Sequence, residues 1–254
     1  MALLETRGLT MRFGGNVAVS DVDLAVEGGA ATGLIGPNGA GKTTTFNMIC
    51  GVLTPSGGTV TLGGRDISSL STHRRARLGI GRTFQRLEVF SSMSVRDNIV
   101  VGAEIRESWA RTTPAGPQLL AGGADLDRDD EVSLILERLG LMDVAEARVG
   151  ELPTGQARLV ELGRALAIRP KVLLLDEPAS GLDDAETASL ASLIAELTAA
   201  GLAVLLVEHD VPLVMSVCSM IYVLDFGRII ASGTPDQVQQ NQTVLDAYLG
   251  SGSR

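Results

Sequence analysis

The sequence predicts an α/β fold with a mainly parallel sheet at its core, and three features lead to this prediction. Short apolar runs at 31–35, 172–175 and 202–207 have the length and composition of strands buried on both faces. Stretches with helical periodicity lie between them. The first run leads into a glycine-rich segment and then a helical stretch. This order is typical of parallel sheets that bind phosphate groups at one edge.

Composition limits the classes of partner. The chain has 254 residues, of which 45% are hydrophobic, so it can bury a substantial core. A formal net charge of −9 argues against non-specific contact with nucleic acid or anionic lipid. We therefore expect no nucleic-acid partner, and we expect any membrane attachment to occur through another protein.

The longest apolar runs are far too short to span a bilayer, and the first seven residues do not resemble a signal peptide. The sequence therefore predicts a cytoplasmic protein. Cys50 and Cys218 lack metal-ligand spacing and are expected to be buried free thiols.

Residues 36–43 have the spacing of a loop that wraps its backbone N–H groups around nucleotide phosphates. Gly36, Gly39 and Gly41 let consecutive N–H groups point inward. Lys42 would place a compact charge on the outer phosphates, and Thr43 would offer a hydroxyl to Mg²⁺. The alternative is a simple glycine-rich turn. With only two lysines against nineteen arginines in the chain, a chance match to the whole pattern is improbable.

The N-terminal part is predicted to form antiparallel strands. Residues 3–10 and 22–26 have alternating or apolar patterns, with a turn signal at 14–16 between them. Phe13 precedes this turn and is either an adenine-stacking aromatic or an ordinary core or rim side chain. Further along, 57–64 predicts a strand and turn, 71–77 a short basic helix, and 79–85 a strand that ends at Gln85. By itself, a strand-end glutamine is most often an ordinary loop residue.

A helical insert is predicted next. Residues 95–105, 129–139 and 157–168 show helical periodicity, with Asn98, Glu131 and Glu161 as polar members. Between the first two of these helices, the segment 112–124 is rich in Pro, Gly and Ala and is predicted to be a mobile loop.

Two adjacent carboxylates, Asp176 and Glu177, follow the buried strand that begins at residue 172. They could be a solvated strand end. Beside a phosphate loop, however, Asp176 suits Mg²⁺ through its water shell, and Glu177 could orient or deprotonate an attacking water. A helix at 183–199, a strand at 203–207 and His209 follow, so His209 is expected at the same sheet edge. A final hairpin, 220–225 and 228–231, turns at 226–227 and precedes amphipathic C-terminal turns.

In order, these motifs resemble those of the ATP-binding subunit of ATP-binding-cassette (ABC) transporters, over essentially the whole chain. Residues 36–43 resemble the Walker A loop, 152–156 the family signature, 173–177 the Walker B strand and 180–183 the D-loop, while Gln85 and His209 match the Q-loop glutamine and the switch histidine. The resemblance implies an ABC cassette of the P-loop NTPase fold, a RecA-like core that hydrolyses ATP with Mg²⁺. Catalysis is then assigned to Glu177, His209 and Gln85. The implied magnesium ligands are Thr43, Gln85 and Asp176. ATP contacts are implied for Phe13, Asn38, Gly39, Gly41, Lys42, Thr43, Thr44, Thr154, Gly155, Gln156 and Asp183.

Within this family, the segments 11–15, 81–85, 207–210 and 246–250 look like those of branched-chain amino-acid importer ATPases. The loop 112–124 also lies where that subgroup is usually extended. The resemblance implies membrane permease subunits and a second ABC ATPase subunit as partners, an extracytoplasmic solute-binding protein as an indirect one, and a position on the inner face of the cell membrane. Residues 86–90 would help form the groove for a permease helix.

Other functions compete with this assignment. An ATPase of the lipopolysaccharide-export type has a similar cassette, and a soluble ABC ATPase without a transport role is a second alternative. Repair members of the latter group carry long coiled coils and translational members usually carry paired cassettes, and this chain has neither. A GTPase or small-molecule kinase would share only the phosphate loop, and the chain lacks the Asn-Lys-x-Asp base-reading motif.

One departure from the family pattern concerns the signature, which is usually Leu-Ser-Gly-Gly-Gln. Pro153 replaces the Ser and cannot donate a hydrogen bond from side chain or backbone, whereas Thr154 replaces the first Gly and could supply a hydroxyl.

The chain is predicted to have three parts. They are a nucleotide-binding core with its antiparallel part at 1–86 and 169–236, a helical subdomain with the signature at 87–168, and a C-terminal helical tail at 237–254.

Overall fold

A six-stranded, mainly parallel sheet and a four-stranded antiparallel sheet occupy the part of the chain that the structure describes, which is residues 2–109, 120 and 126–250 of a computed structural model. The predicted loop 112–124 lies outside these residues except for Leu120. The strands are β1 Ala2–Phe13, β2 Asn16–Glu27, β3 Ala31–Ile35, β4 Gly57–Leu62, β5 Arg65–Asp66, β6 Ile80–Arg82, β7 Val172–Asp176, β8 Ala203–Val207, β9 Met220–Asp225 and β10 Arg228–Gly233.

The larger sheet has the strand order β10-β9-β3-β8-β7-β6. Its strands pair in parallel except for β10, which returns antiparallel to β9 at the edge. All residues of β3, β7 and β8 are buried, as their continuous apolar sequences predict for strands covered on both faces. The register pairs Asp176 with Val207, so the loops after β7 and β8 leave the same sheet edge side by side. The predicted parallel core is confirmed.

The smaller sheet has the order β2-β1-β4-β5. Strand β1 pairs antiparallel with β2 through the turn at 14–15, with Phe13 opposite Asn16, and with β4 on its other side. The predicted antiparallel opening of the chain is confirmed, although both strands are longer than the sequence pattern indicates.

The helices lie between these strands and after the last one. Their bounds are α1 Lys42–Cys50, α2 Thr72–Leu78, α3 Val95–Trp109, α4 Arg128–Arg138, α5 Thr154–Ala167, α6 Asp184–Ala199, α7 Val211–Val217, α8 Pro235–Gln239 and α9 Gln242–Gly250. Helices α3, α4 and α5 fall between β6 and β7 in the chain. Two 3-10 turns, Met142–Val144 and Val149–Glu151, connect α4 to α5.

The hydrophobic core has two layers, one on each face of the parallel sheet. Leu173 and Leu175 of β7 pack into a cluster with α3, α5 and α6, whereas Val172 and Leu174 face a second cluster built around α1 and the antiparallel sheet. This alternation follows from the two-residue period of a strand.

A buried ion network fixes the three inserted helices to one another. Glu131 of α4 accepts a hydrogen bond from Arg106 of α3 at 2.7 Å and one from Arg169, just after α5, at 2.8 Å. Arg106 also donates to the carbonyl of Ala167 at 2.7 Å. A buried carboxylate needs partners of this kind because an unpaired buried charge is costly.

A second buried cation, Arg75 of α2, lies under the end of α1. Its guanidinium donates to the carbonyls of Met48 and Ile49, both at 2.7 Å, and to those of Ser68 at 2.7 Å and Leu70 at 2.9 Å. Only 1% of its surface is exposed. Carbonyls at a helix C-terminus have no partner within the helix, so this side chain satisfies groups that the fold would otherwise bury unpaired.

One predicted strand is shorter in the structure, and one helix is additional to those predicted. The strand predicted at 79–85 ends at Arg82, so Gln85 lies three residues beyond it in a loop. Thr83 still donates its N–H to the carbonyl of Leu174 at 2.9 Å, but its side-chain hydroxyl, not a backbone carbonyl, accepts the N–H of Asp176, and the strand pairing ends there. Helix α7 was not predicted, since it has only seven residues and includes Pro212 in its first turn.

Candidate functional site

A cavity of about 560 Å³ opens at the edge of the parallel sheet where β3, β7 and β8 end. Nine of the predicted site residues line it, namely Asn38, Gly39, Gly41, Lys42, Thr43, Thr44, Gln85, Glu177 and His209. They come from four separate stretches of the chain. The topology brings them together because parallel strands send their following loops to one edge.

The phosphate loop connects β3 to α1, and its shape depends on close backbone contact. A Cβ on Gly36 would lie 2.0 Å from the carbonyl oxygen of Leu224 in β9, so only glycine fits there. Helix α1 begins at Lys42, which leaves its first N–H groups directed at the cavity. The loop therefore offers backbone donors and a helix N-terminus to an anionic group.

Lys42 lies inside the loop and is 7% exposed. Its Nζ donates to the carbonyl oxygens of Gly36 at 2.7 Å and Pro37 at 3.0 Å. Burial lowers the pKa of this ammonium, and the nearby carboxylates Glu177 and Asp176 act in the opposite direction. The ammonium is thus held among acceptors at the place where phosphate oxygens would enter.

Asp176 is a buried carboxylate with one oxygen that accepts no hydrogen bond in the described part of the chain. It is 2% exposed, and its Oδ2 has no hydrogen-bond partner among the described residues. Burial, and then the charge of Glu177, raise the pKa of this carboxyl. Within the described ranges, no group of three or more His, Cys, Asp or Glu could enclose a metal ion. Mg²⁺ is commonly held by one or two protein oxygens together with substrate phosphates, and the unpartnered Oδ2 of Asp176 fits that kind of site.

Glu177 and His209 meet across the neighbouring loops. The Nε2 of His209 lies 2.9 Å from Oε1 of Glu177. Glu177 has φ +51°, a left-handed conformation that is uncommon for a residue with a side chain and occurs often at functional positions. Its N–H donates to the carbonyl of Val207 at 2.8 Å, which holds this backbone in place.

Glu208 is a buried residue of the site that is not among the predicted site residues. Its Oε1 accepts the N–H of Ala179 at 2.8 Å, and its Oε2 accepts the N–H of His209 at 2.8 Å. The side chain thus ties the loop after β7 to the loop after β8. An acidic residue directly after a buried apolar strand was the available signal.

The signature residues lie at the start of α5, outside the cavity lining. Pro153 is the N-cap residue and Thr154 the first residue of the helix, so the missing N–H of Pro153 leaves no helical bond unmade. A Cβ on Gly155 would lie 2.5 Å from the carbonyl oxygen of Gly181. The signature helix and the 180–183 loop are therefore in backbone contact.

Two further residues predicted to contact ATP lie outside this cavity and make contacts within the chain. Asp183 caps α6, where its carboxylate accepts the N–H of Glu186 at 2.8 Å and the Glu186 side chain accepts the N–H of Asp183 at 3.0 Å. Gln156 lines a different cavity, of about 370 Å³, beside α4 and α6.

The aromatic side chains near the mouth of the cavity are exposed. Phe13 is 51% exposed and sits opposite Asn16, which lines the cavity, whereas Phe13 does not. Phe226, at the tip of the β9–β10 hairpin, is 85% exposed and does line it. The sequence at 226–227 indicates only a turn.

These features, a phosphate loop, a buried acid with a free oxygen and a histidine paired to a second acid, define a nucleotide-binding cassette. The sequence matches the ABC transporter family over residues 19–180, and the chain belongs to this ATP-binding family of ATPases. Residues 228–253 match a second family described as branched-chain amino acid ATP-binding cassette transporter.

Relatives match over nearly the full chain. It is 40% identical to the high-affinity branched-chain amino acid transport ATP-binding protein BraF of Pseudomonas aeruginosa, over 98% of both chains. It is also 40% identical to the corresponding protein LivG of Escherichia coli, again over 98% of both. The lipopolysaccharide export system ATP-binding protein LptB of Escherichia coli is 35% identical over 100% of both chains.

Solved structures support the same fold. A nucleotide-free ATP-binding cassette from an ABC transporter superposes with a TM-score of 0.83 at 31% identity, covering 98% of this chain and 99% of the other. Among the residues that the structure describes, no helix combines the length and apolar character needed to cross a membrane.

Proposed function

We propose that this chain is the ATP-hydrolysing subunit of an importer for branched-chain or related hydrophobic amino acids. The observation that supports the solute class is the 40% identity to BraF and LivG over 98% of each chain. In this assignment the chain works with membrane permease subunits and a second cassette, indirectly with an extracytoplasmic solute-binding protein, on the inner face of the cell membrane. Residues 1–86 and 169–236 act as the nucleotide-binding core, 87–168 as the helical subdomain and 237–254 as the C-terminal tail.

Each residue of the cavity has a proposed task in ATP hydrolysis. Lys42 and the loop N–H groups bind the β- and γ-phosphates. Thr43, Asp176 and Gln85 would hold Mg²⁺, which would neutralise charge on the phosphate oxygens. Glu177 orients or deprotonates the attacking water, and His209 contacts the γ-phosphate after releasing Glu177.

Two cassettes are proposed to pair head to tail, so that each ATP also touches the signature helix of the partner. The start of α5 presents N–H groups without helical partners, and Thr154, Gly155 and Gln156 lie there. Asp183 and Phe13 are the remaining proposed contacts, to the partner site and to the adenine ring.

The enzymatic part is tested by ATP turnover and ATP-dependent dimerisation of the purified chain, alone and mixed with its candidate partner ATPase. Turnover by the chain alone would establish that Pro153 and Thr154 form a competent signature. Turnover that appears only in the mixture would show that the chain supplies one half of asymmetric sites.

The solute class is tested by expression in Escherichia coli lacking LivG, with uptake of radiolabelled leucine as the measurement. We expect uptake with the parent chain and none with Lys42→Ala. The alternative, suggested by the 35% identity to LptB, is a lipopolysaccharide exporter subunit. Growth rescue of LptB-depleted cells without leucine uptake would favour that alternative.

A further inference from the structure

The loop that carries Gln85, residues 83–90, rests on one face of the signature helix α5. Arg158 donates to the carbonyl of Gln85 at 3.0 Å, and Arg164, six residues further along the helix, donates to the carbonyl of Glu88. Between them, Oε1 of Glu161 accepts the N–H of Phe84 at 3.2 Å. Three charged side chains of α5, spaced three residues apart, thus hold the backbone of the loop.

Glu161 is unusual among these three because it is a buried carboxylate. Only 2% of its surface is exposed, and its Oε2 has no hydrogen-bond partner among the described residues. A buried acid with one unsatisfied oxygen costs stability, and an apolar side chain of similar volume would often be more favourable. Packing of the helix therefore does not explain this residue.

The contact made by Glu161 lies one residue before Gln85. Helix α5 holds the backbone at Gln85 and at the residue before it, since Arg158 donates to the carbonyl of Gln85 and Glu161 accepts the N–H of Phe84. The Gln85 residue itself lines the nucleotide cavity. A side chain on a loop keeps one position only if the backbone of the loop is itself held in place.

We propose that Glu161 is a positioning residue that sets Gln85 at the magnesium and γ-phosphate position and ties it to the signature helix. The inference rests on the role proposed above for Gln85. Because α5 begins at Thr154, the same helix presents the signature at one end and holds the Gln85 loop further along. A shift of the signature helix then moves Gln85 with it.

The test is a double-mutant cycle of Glu161→Met and Gln85→Ala. Met fills a similar volume without a hydrogen-bond acceptor and removes the buried carboxyl group, so the variant is expected to fold, with a thermal midpoint within about 4 °C of the parent or higher. We expect Glu161→Met to raise the Mg²⁺ concentration for half-maximal ATP turnover about tenfold. ATP affinity measured in EDTA should not change.

In the Gln85→Ala background, Glu161→Met should have no further effect on the magnesium dependence. Glu161→Gln keeps an oxygen that can accept the N–H of Phe84, so it should restore most of the parent behaviour. Glu137→Gln, an exposed acid on α4, is the control and should match the parent in all measurements.

Additive effects of the two substitutions would overturn the inference, as would an unchanged magnesium dependence in Glu161→Met. If Gln85→Ala itself leaves the magnesium dependence unchanged, the role proposed for Gln85 fails and this inference fails with it. A shift in Gln85→Ala without one in Glu161→Met would reject the positioning role alone.

Discussion

His209 and Glu177 form a direct pair, with Nε2 and Oε1 2.9 Å apart, although 32 residues separate them in the chain. Adjacent parallel strands, β7 and β8, bring their loops together. In this pair, the histidine occupies an oxygen of the carboxylate that would act on water. Release of His209 toward a bound γ-phosphate would free Glu177 for catalysis.

The first prediction concerns Glu177→Gln. We expect ATP turnover to fall at least about 100-fold, because the amide cannot accept a proton, while ATP affinity stays close to that of the parent. Phosphate release and equilibrium nucleotide binding measure the two effects. The control is Glu196→Gln on α6, whose carboxylate makes an exposed pair with Arg138 at 3.3 Å. Near-normal turnover of Glu177→Gln would remove this residue from the mechanism.

The second prediction concerns the backbone contact between the signature and the 180–183 loop. Gly155→Ala places a Cβ 2.5 Å from the carbonyl oxygen of Gly181, so the start of α5 must shift. We expect turnover to fall about 100-fold, since a displacement of about 1 Å in a catalytic arrangement has that effect. Gly28→Ala is the matched control, with its nearest contact at 3.9 Å. Equal turnover in both variants would contradict the prediction.

The third prediction concerns Arg75, which donates to four carbonyls under α1. Arg75→Met leaves these buried acceptors without donors and should lower the free energy of unfolding by about 3 kcal/mol or more. Its neighbour Arg74 is exposed, and Arg74→Met should change it by less than about 0.5 kcal/mol. Urea denaturation provides the measurement. Similar midpoints for the two variants would show that the Arg75 contacts add little.

The fourth prediction concerns the two thiols. Burial raises the pKa of Cys50 to about 11 and that of Cys218 to about 12, and the residues are 2% and 6% exposed. Only the thiolate reacts with iodoacetamide, so both should remain unmodified in the native protein at pH 8 and react in urea. Mass spectrometry of the intact chain gives the count of modified thiols. Rapid native labelling of either residue would show that its surroundings open.

The secondary structure was largely predictable because its signals are local. Strand β8 was predicted at its observed bounds, since a short apolar run between a helix and a polar segment has few alternatives. Helix α7 could not be predicted, because a segment of seven residues that includes Pro212 is too short to show a helical pattern of apolar residues. Cys50 and Cys218 were correctly predicted to be buried free thiols.

The site was predictable only in part, for a different reason. Lys42, Glu177 and His209 belong to motifs and could be selected from sequence, and all three line one cavity. The role of Glu208 depends on two loops that meet only in the folded chain, and so does the contact between Gly155 and Gly181. No spacing along the chain encodes such contacts.

The carboxylate of Glu208 has a mechanical consequence. Because its two oxygens accept the N–H groups of Ala179 and His209, the loops after β7 and β8 are joined by one side chain, and separating them would leave a buried carboxylate oxygen without one of its donors. A displacement that begins at the histidine is thus passed within one side-chain length to the chain that leads into Gly181, the residue touching the signature helix. The loops after β7 and β8 would then move together, while strands β7 and β8 keep their positions.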